Sequence, residues 1–218
     1  MSARLLATLV GLLSVAPCFG SPDLVGLEKR PVVVYLRTTS GQRAEPIQAM
    51  QREANALMET AGYHIEWRSL PGGSSNAVEG PIVVVELRGN CESPDPSTPV
   101  APLTAPSALA STAVSDGEVL PFSWVECDTL SRMLAAPLSK YENKQEFLYG
   151  RAMGRLIAHE LYHILTKTRH HNNDGVAKPR FSAADVLAEH FSFDTPTLAK
   201  LREPAGAAEP AELEDESR

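Results

Sequence analysis

Three residues in one apolar run can do chemistry together. They are His159, Glu160 and His163, within Leu156-Ile157-Ala158-His159-Glu160-Leu161-Tyr162-His163-Ile164-Leu165. On an α-helix, residues four apart project from one face, so both imidazoles reach a single metal ion. Glu160 is turned about 100° from His159 and stands beside that ion, where a general base for a metal-bound water belongs. Two helical histidines do not complete a catalytic zinc site, which usually takes three protein ligands and one open position. Five of the six histidines follow residue 158, so the third donor is expected nearby. The candidates are His170, His171, Asp185, Glu189 and His190. After Thr168 the polar run Arg169-His170-His171-Asn172-Asn173-Asp174-Gly175 should stop the helix and turn the chain back, bringing His170 or His171 in from a loop. Asp185 or Glu189, on a following helix, would instead give two histidines and one carboxylate.

The element that must position this set is a long helix. Leu148, Ala152, Leu156, His159 and His163 form one stripe, so the histidines extend a core-facing surface. No proline interrupts Gln145 to Thr168, and Gly150 and Gly154 are the only weak helix formers there. Upstream, Pro31–Arg37 and Pro81–Leu87 read as buried strands and Tyr63–Arg68 as an alternating one. Between the first two lies a helix from Pro46 to Ala61, closed by Gly62, and Pro71-Gly72-Gly73-Ser74-Ser75-Asn76 is a surface loop. Strand, helix, strand, strand predicts a mixed sheet with a helix packed on it. From Asn90 to Pro106 a Pro- and Ser-rich loop is expected, anchored by Cys91. Leu109–Val114 and Val119–Val125 flank Asp116-Gly117, a hairpin signal. Asp128 is expected to cap a short helix ending at Leu134. Ser182, with Asp185 three residues on, should begin a last helix reaching about His190. The fold class expected is α+β.

Composition narrows the setting. A chain of 218 residues, 43% hydrophobic and 22% charged, fits one globular domain with its ends. Six acids from Glu203 onward, against Arg218 alone, carry most of the net charge of −7. The body is therefore nearly neutral and offers no basic field for nucleic acid. Arg4 followed by apolar Leu5 to Ala16 reads as an export signal, residues 1–20, with cleavage near Gly20-Ser21. It is too short to span and stay, and no second stretch approaches the roughly 18 residues a membrane span needs. Pro17 before Cys18 argues against a lipoprotein anchor. Loss of the signal leaves Cys91 and Cys127, an even pair expected to be bridged in a secreted or periplasmic protein. Residues 203–218, rich in Glu, Ala and Pro, cannot build a core and are expected to be disordered, leaving a domain over 21–202.

The histidine motif resembles that of the zincin metallopeptidases, in particular their metzincin-like branch. It is most similar to secreted bacterial proteins of unknown role in which His-Glu-Leu-x-His is followed by His-x-x-x-Gly-(Ile/Val)-Met. In this chain the pattern reads His159-Glu160-Leu161-Tyr162-His163, then His171-Asn172-Asn173-Asp174-Gly175-Val176-Ala177. The resemblance implies a zincin-like domain in which His159, His163 and His171 hold Zn2+ and Glu160 is the base. The implied reaction is hydrolysis of a peptide or protein substrate by a zinc-activated water whose pKa falls towards ~7. Glu160 would then pass the proton to the leaving amine. Tyr141, Tyr149 and Tyr162 are the tyrosines available to an oxyanion. An edge strand ahead of the helix would align substrate by strand addition, a role that falls to Val119–Val125. Two departures stand out. Metzincin spacing would put the third ligand at Arg169 and a glycine at Thr166, and Ala177 replaces the methionine. They admit a zinc-bound module that binds peptides or a partner protein without turnover, and a further alternative is a zinc amidase acting on cell-wall material.

Overall fold

The computed structural model describes residues 29–38, 42–69, 79–95 and 107–203. The export signal, the Pro71–Asn76 loop, most of the loop after Asn90 and the acidic tail after Glu203 lie outside them. The strands are β1 (Arg30–Arg37), β2 (Tyr63–Ser69), β3 (Ile82–Arg88), β4 (Ala110–Ser115) and β5 (Glu118–Glu126). The helices are α1 (Ala44–Thr60), α2 (Cys127–Leu138), α3 (Gln145–Thr166), α4 (Ala183–Leu187) and α5 (Thr195–Arg202). The strands form one mixed sheet in the order β2-β1-β3-β5-β4. Its first four members run parallel, and β4 is antiparallel to β5. This is the mixed sheet with packed helices that the pattern predicts.

Burial follows the residue types. Val32, Val33 and Val34 are fully buried, as a central strand covered on both faces requires. On β3 the buried positions alternate through Val83, Val85 and Leu87. Asp116 and Gly117 take φ of 51° and 81°, the double left-handed turn that joins β4 to β5. Because β5 lies between β3 and β4, it is not the free edge expected of Val119–Val125; β4 is. A hairpin motif cannot show which of its strands the rest of the sheet will pair with. The β4–β5 register shifts between Thr112 and Val114, an irregularity typical of edges that re-aim a side chain.

Helix α3 is buried on nearly every side, not only along the predicted stripe. One flank packs on α1, and there Gly150 and Gly154 explain themselves. A Cβ on Gly150 would lie 2.2 Å from the Pro46 carbonyl oxygen, and one on Gly154 2.5 Å from that of Met50. The missing side chains let two backbones approach. The other flank faces β4 and β5. Cys91 and Cys127 are disulfide-bonded, with Cα atoms 4.9 Å apart, tying the end of β3 to the start of α2.

Three helix expectations need correction. Helix α2 starts at Cys127 and runs to Leu138, four residues past Leu134, and Asp128 does not cap it. The Asp128 carboxylate instead accepts the Asn90 N–H at 2.9 Å and pins the chain leaving β3. Helix α4 has the predicted Ser182–Asp185 capping box but stops at Leu187, short of His190. Helix α5 was not expected at all. Its signals are the Asp194 side chain, accepting from Thr197 N–H at 2.9 Å, and Pro196 in the first turn. No helix among the described residues is long and apolar enough to cross a membrane.

Candidate metal centre

Helix α3 ends at Thr166, and Lys167 takes a left-handed conformation with φ 51° that reverses the chain. The Thr168 N–H bonds the His163 carbonyl at 3.2 Å, so the loop starts tight against the helix end. It returns as a 3-10 turn, Gly175–Ala177, held by the Val176 N–H on the Ser192 carbonyl at 3.0 Å. Gly175 has φ 67°, and a Cβ there would meet Ser192 O at 2.5 Å, so glycine is required.

That return path places His171 over the two helical histidines. His163 Nε2 lies 3.1 Å from His159 Nε2 and 3.1 Å from His171 Nε2. All three ligand atoms fall within 4.8 Å of one another, so the three residues can hold one metal ion. The remaining ring nitrogens fix the tautomers. His159 Nδ1 donates to the Val176 carbonyl at 2.7 Å, and His163 Nδ1 donates to the Thr168 carbonyl at 2.8 Å. A carbonyl only accepts, so both Nδ1 atoms carry the proton and both neutral rings present a bare Nε2. Two lone pairs thus converge in a buried space. A proton on His171 can bridge to one of them, not to both. Burial first, and the neighbouring His163 next, pull His159 down to about 3, and burial lowers His163 and His171 as well. A single cation would satisfy this arrangement.

Glu160 is only 4% exposed and stands beside the triad, not within it. Thr112 Oγ1, on the edge strand, donates to Glu160 Oε2 at 2.6 Å. Burial pushes the carboxyl up to about 7, against that hydrogen bond, which favours the charged form. The histidines and Glu160 share the wall of a cleft of about 640 Å³ with Ser107–Thr112 of the edge strand and the segment before it. Phe181 lays its ring edge-on to His159 with centroids 5.2 Å apart.

The other ligand candidates are not brought to the triad. His170 is exposed, and its carbonyl accepts from Tyr162 Oη at 3.3 Å. Asp185 serves the α4 capping box and pairs with Lys178. Glu189 and His190 are exposed and outside the cluster. Nor does any of the three tyrosines line the cleft. Tyr149 is buried and donates to the Cys127 carbonyl at 3.0 Å, Tyr162 is engaged as above, and Tyr141 is on the surface. Thr112, Val176 and Thr168 were missed because nothing in their own surroundings marks them; Thr112 is 48 residues from its partner. Comparison with protein-family models, with curated proteins and with solved structures finds no match to this chain.

Proposed function

We propose that this chain is an exported zinc-dependent metallopeptidase of zincin type. The observation that carries the reading is the pair of bare Nε2 atoms, each fixed by a carbonyl behind it, with a buried carboxylate alongside. Three nitrogens bound tetrahedrally to one zinc at ordinary distances stand about 3.3 Å apart, close to the 3.1 Å spacings here. An all-histidine donor set of this kind suits zinc among the common metals. His159, His163 and His171 would hold the ion, which when bound supplies a Lewis acid and makes a neighbouring water acidic.

The chain's own groups then have defined work. Glu160 Oε1 or Oε2 takes the proton from water and delivers it to the leaving amine. Burial raises this carboxyl and a bound cation beside it would lower it, the opposing influences under which one group can take a proton and return it. Thr112 Oγ1 orients the carboxylate. Among the described residues β4 is the outermost strand on this side of the sheet, where an extended peptide could pair by strand addition. The disulfide fits an oxidising compartment outside the cytosol.

The test compares the zinc-loaded parent with Glu160→Ala on a mixed peptide library. Retained zinc with turnover reduced on the order of 100-fold or more is expected. Equal turnover would remove Glu160 from the chemistry, and no turnover in the parent would leave a zinc-bound module without hydrolysis.

A further inference from the structure

Charge in the cleft is one-sided. Among the described residues that line it, Glu160 is the only carboxylate, while Arg169 and Arg180 both stand on its wall. Asp116, in the hairpin turn, and Glu118, at the start of β5, are the acids nearest in sequence to the lining residues Val114 and Val119, and neither lines the wall. Both arginines are exposed and have no ion pair or hydrogen bond among the described residues. Exposed Arg52 on α1 is likewise unpaired among the described residues but does not line the cleft, while four other surface arginines find glutamates. Arg37 and Arg88 pair with Glu86, Arg43 with Glu146 and Arg68 with Glu66. The nearby lysines are engaged too. Lys178 pairs with Asp185, and Lys167 reaches the Val119 carbonyl at 3.4 Å.

Position ties the two arginines to the triad. Arg169 follows Thr168, whose carbonyl holds His163, and precedes His171 by two residues. Arg180 precedes Phe181, whose ring abuts His159. The pair therefore brackets the loop that delivers the third histidine. A guanidinium offers a planar fork of donors matched to a carboxylate, and two of them beside a half-enclosed cleft repel a cationic side chain.

Resting on the hydrolase reading above, we infer that Arg169 and Arg180 are specificity residues. They select substrates that present a carboxylate beside the scissile bond, from an Asp or Glu side chain or from a free C-terminus. The test uses quenched peptides, identical except for Glu, Gln or Lys flanking the cleaved bond, and a short Gln peptide ending as free acid or amide. Zinc-loaded parent, an R169E/R180E double variant and an R169K/R180K double variant are compared, with zinc content and circular dichroism as folding controls. In the parent, kcat/KM for Glu over Lys is expected to be about tenfold, carried mainly in KM, because the exchange turns attraction into repulsion. The ratio collapses or inverts in R169E/R180E and largely survives in R169K/R180K. A preference for free acid over amide assigns the carboxylate to the C-terminus instead, and shows the same dependence on the arginines. Fluorescence anisotropy of the Glu and Lys peptides on Glu160→Ala gives a readout apart from turnover. Tighter binding of the Glu peptide there supports the inference even if no peptide is cleaved, in which case hydrolysis alone fails. Equal behaviour of acidic and basic peptides in both assays, or a preference that persists in R169E/R180E, overturns it.

Discussion

Thr112 Oγ1 and Glu160 Oε2 lie 2.6 Å apart, joining the edge strand of the sheet to the carboxylate that stands beside the histidine triad. The hydroxyl donates to the charged form, and burial acts against it, leaving the carboxyl at about 7. Thr112→Val keeps the shape and removes the donor, so the Glu160 pKa must rise. A base works only when deprotonated, and the acidic limb of the pH–rate profile should therefore move to higher pH, by about one unit for a charge-assisted hydrogen bond. A limb that stays in place or moves down in Thr112→Val would show that Glu160 is not the titrating base.

His170 and His171 are neighbours in sequence with opposite expectations. His171→Ala removes one of the three nitrogens and should weaken zinc binding on the order of 100-fold or more in a chelator competition. His170→Ala removes an exposed ring that touches none of them and should leave the affinity within about twofold. Equal losses in the two variants would mean that the loop returns by a different path.

Gly150→Ala would raise intrinsic helix propensity by about 1 kcal/mol in a solvated helix. Here the added Cβ meets Pro46 O at 2.2 Å and Ala49 Cβ at 2.7 Å, in the seam between α1 and α3. Net destabilisation of about 1–3 kcal/mol is expected in urea unfolding. A stabilised variant would show that the two helices are not packed this closely.

The Cys91–Cys127 bridge closes a span of 36 residues, much of it the loop between β3 and β4. Replacing both cysteines by alanine should lower stability by roughly 3–4 kcal/mol, mostly by freeing the unfolded chain. Unfolding of the variant and of the parent, with and without reductant, checks this. Parent and variant that unfold alike without reductant would mean the bridge contributes nothing.

Patterns that act over a few residues could be read directly. The 3.6-residue period puts His159 and His163 on one face with Glu160 beside them, the Asp116-Gly117 pair makes the hairpin, and the β-branched run at Val32–Val34 makes a buried strand. Each depends on backbone geometry that the residue and its near neighbours set alone. Helix ends were read less well where a side chain had a better partner elsewhere. Asp128 bonds Asn90 instead of capping α2, and α3 stops at Thr166 because Lys167 can take the left-handed turn.

Packing decided the rest. The resemblance pointed to His171, but spacing alone left five donors open, because adjacent loop residues point to opposite sides and only the return path through Gly175 selects one. The carbonyls of Val176 and Thr168 that bare the two Nε2 atoms, the hydroxyl of Thr112 on Glu160 and the choice of β4 as edge strand likewise join parts of the chain that share no local pattern. Such contacts exist only once sheet, helix and loop have buried their apolar faces against one another, and that burial is a property of the whole chain.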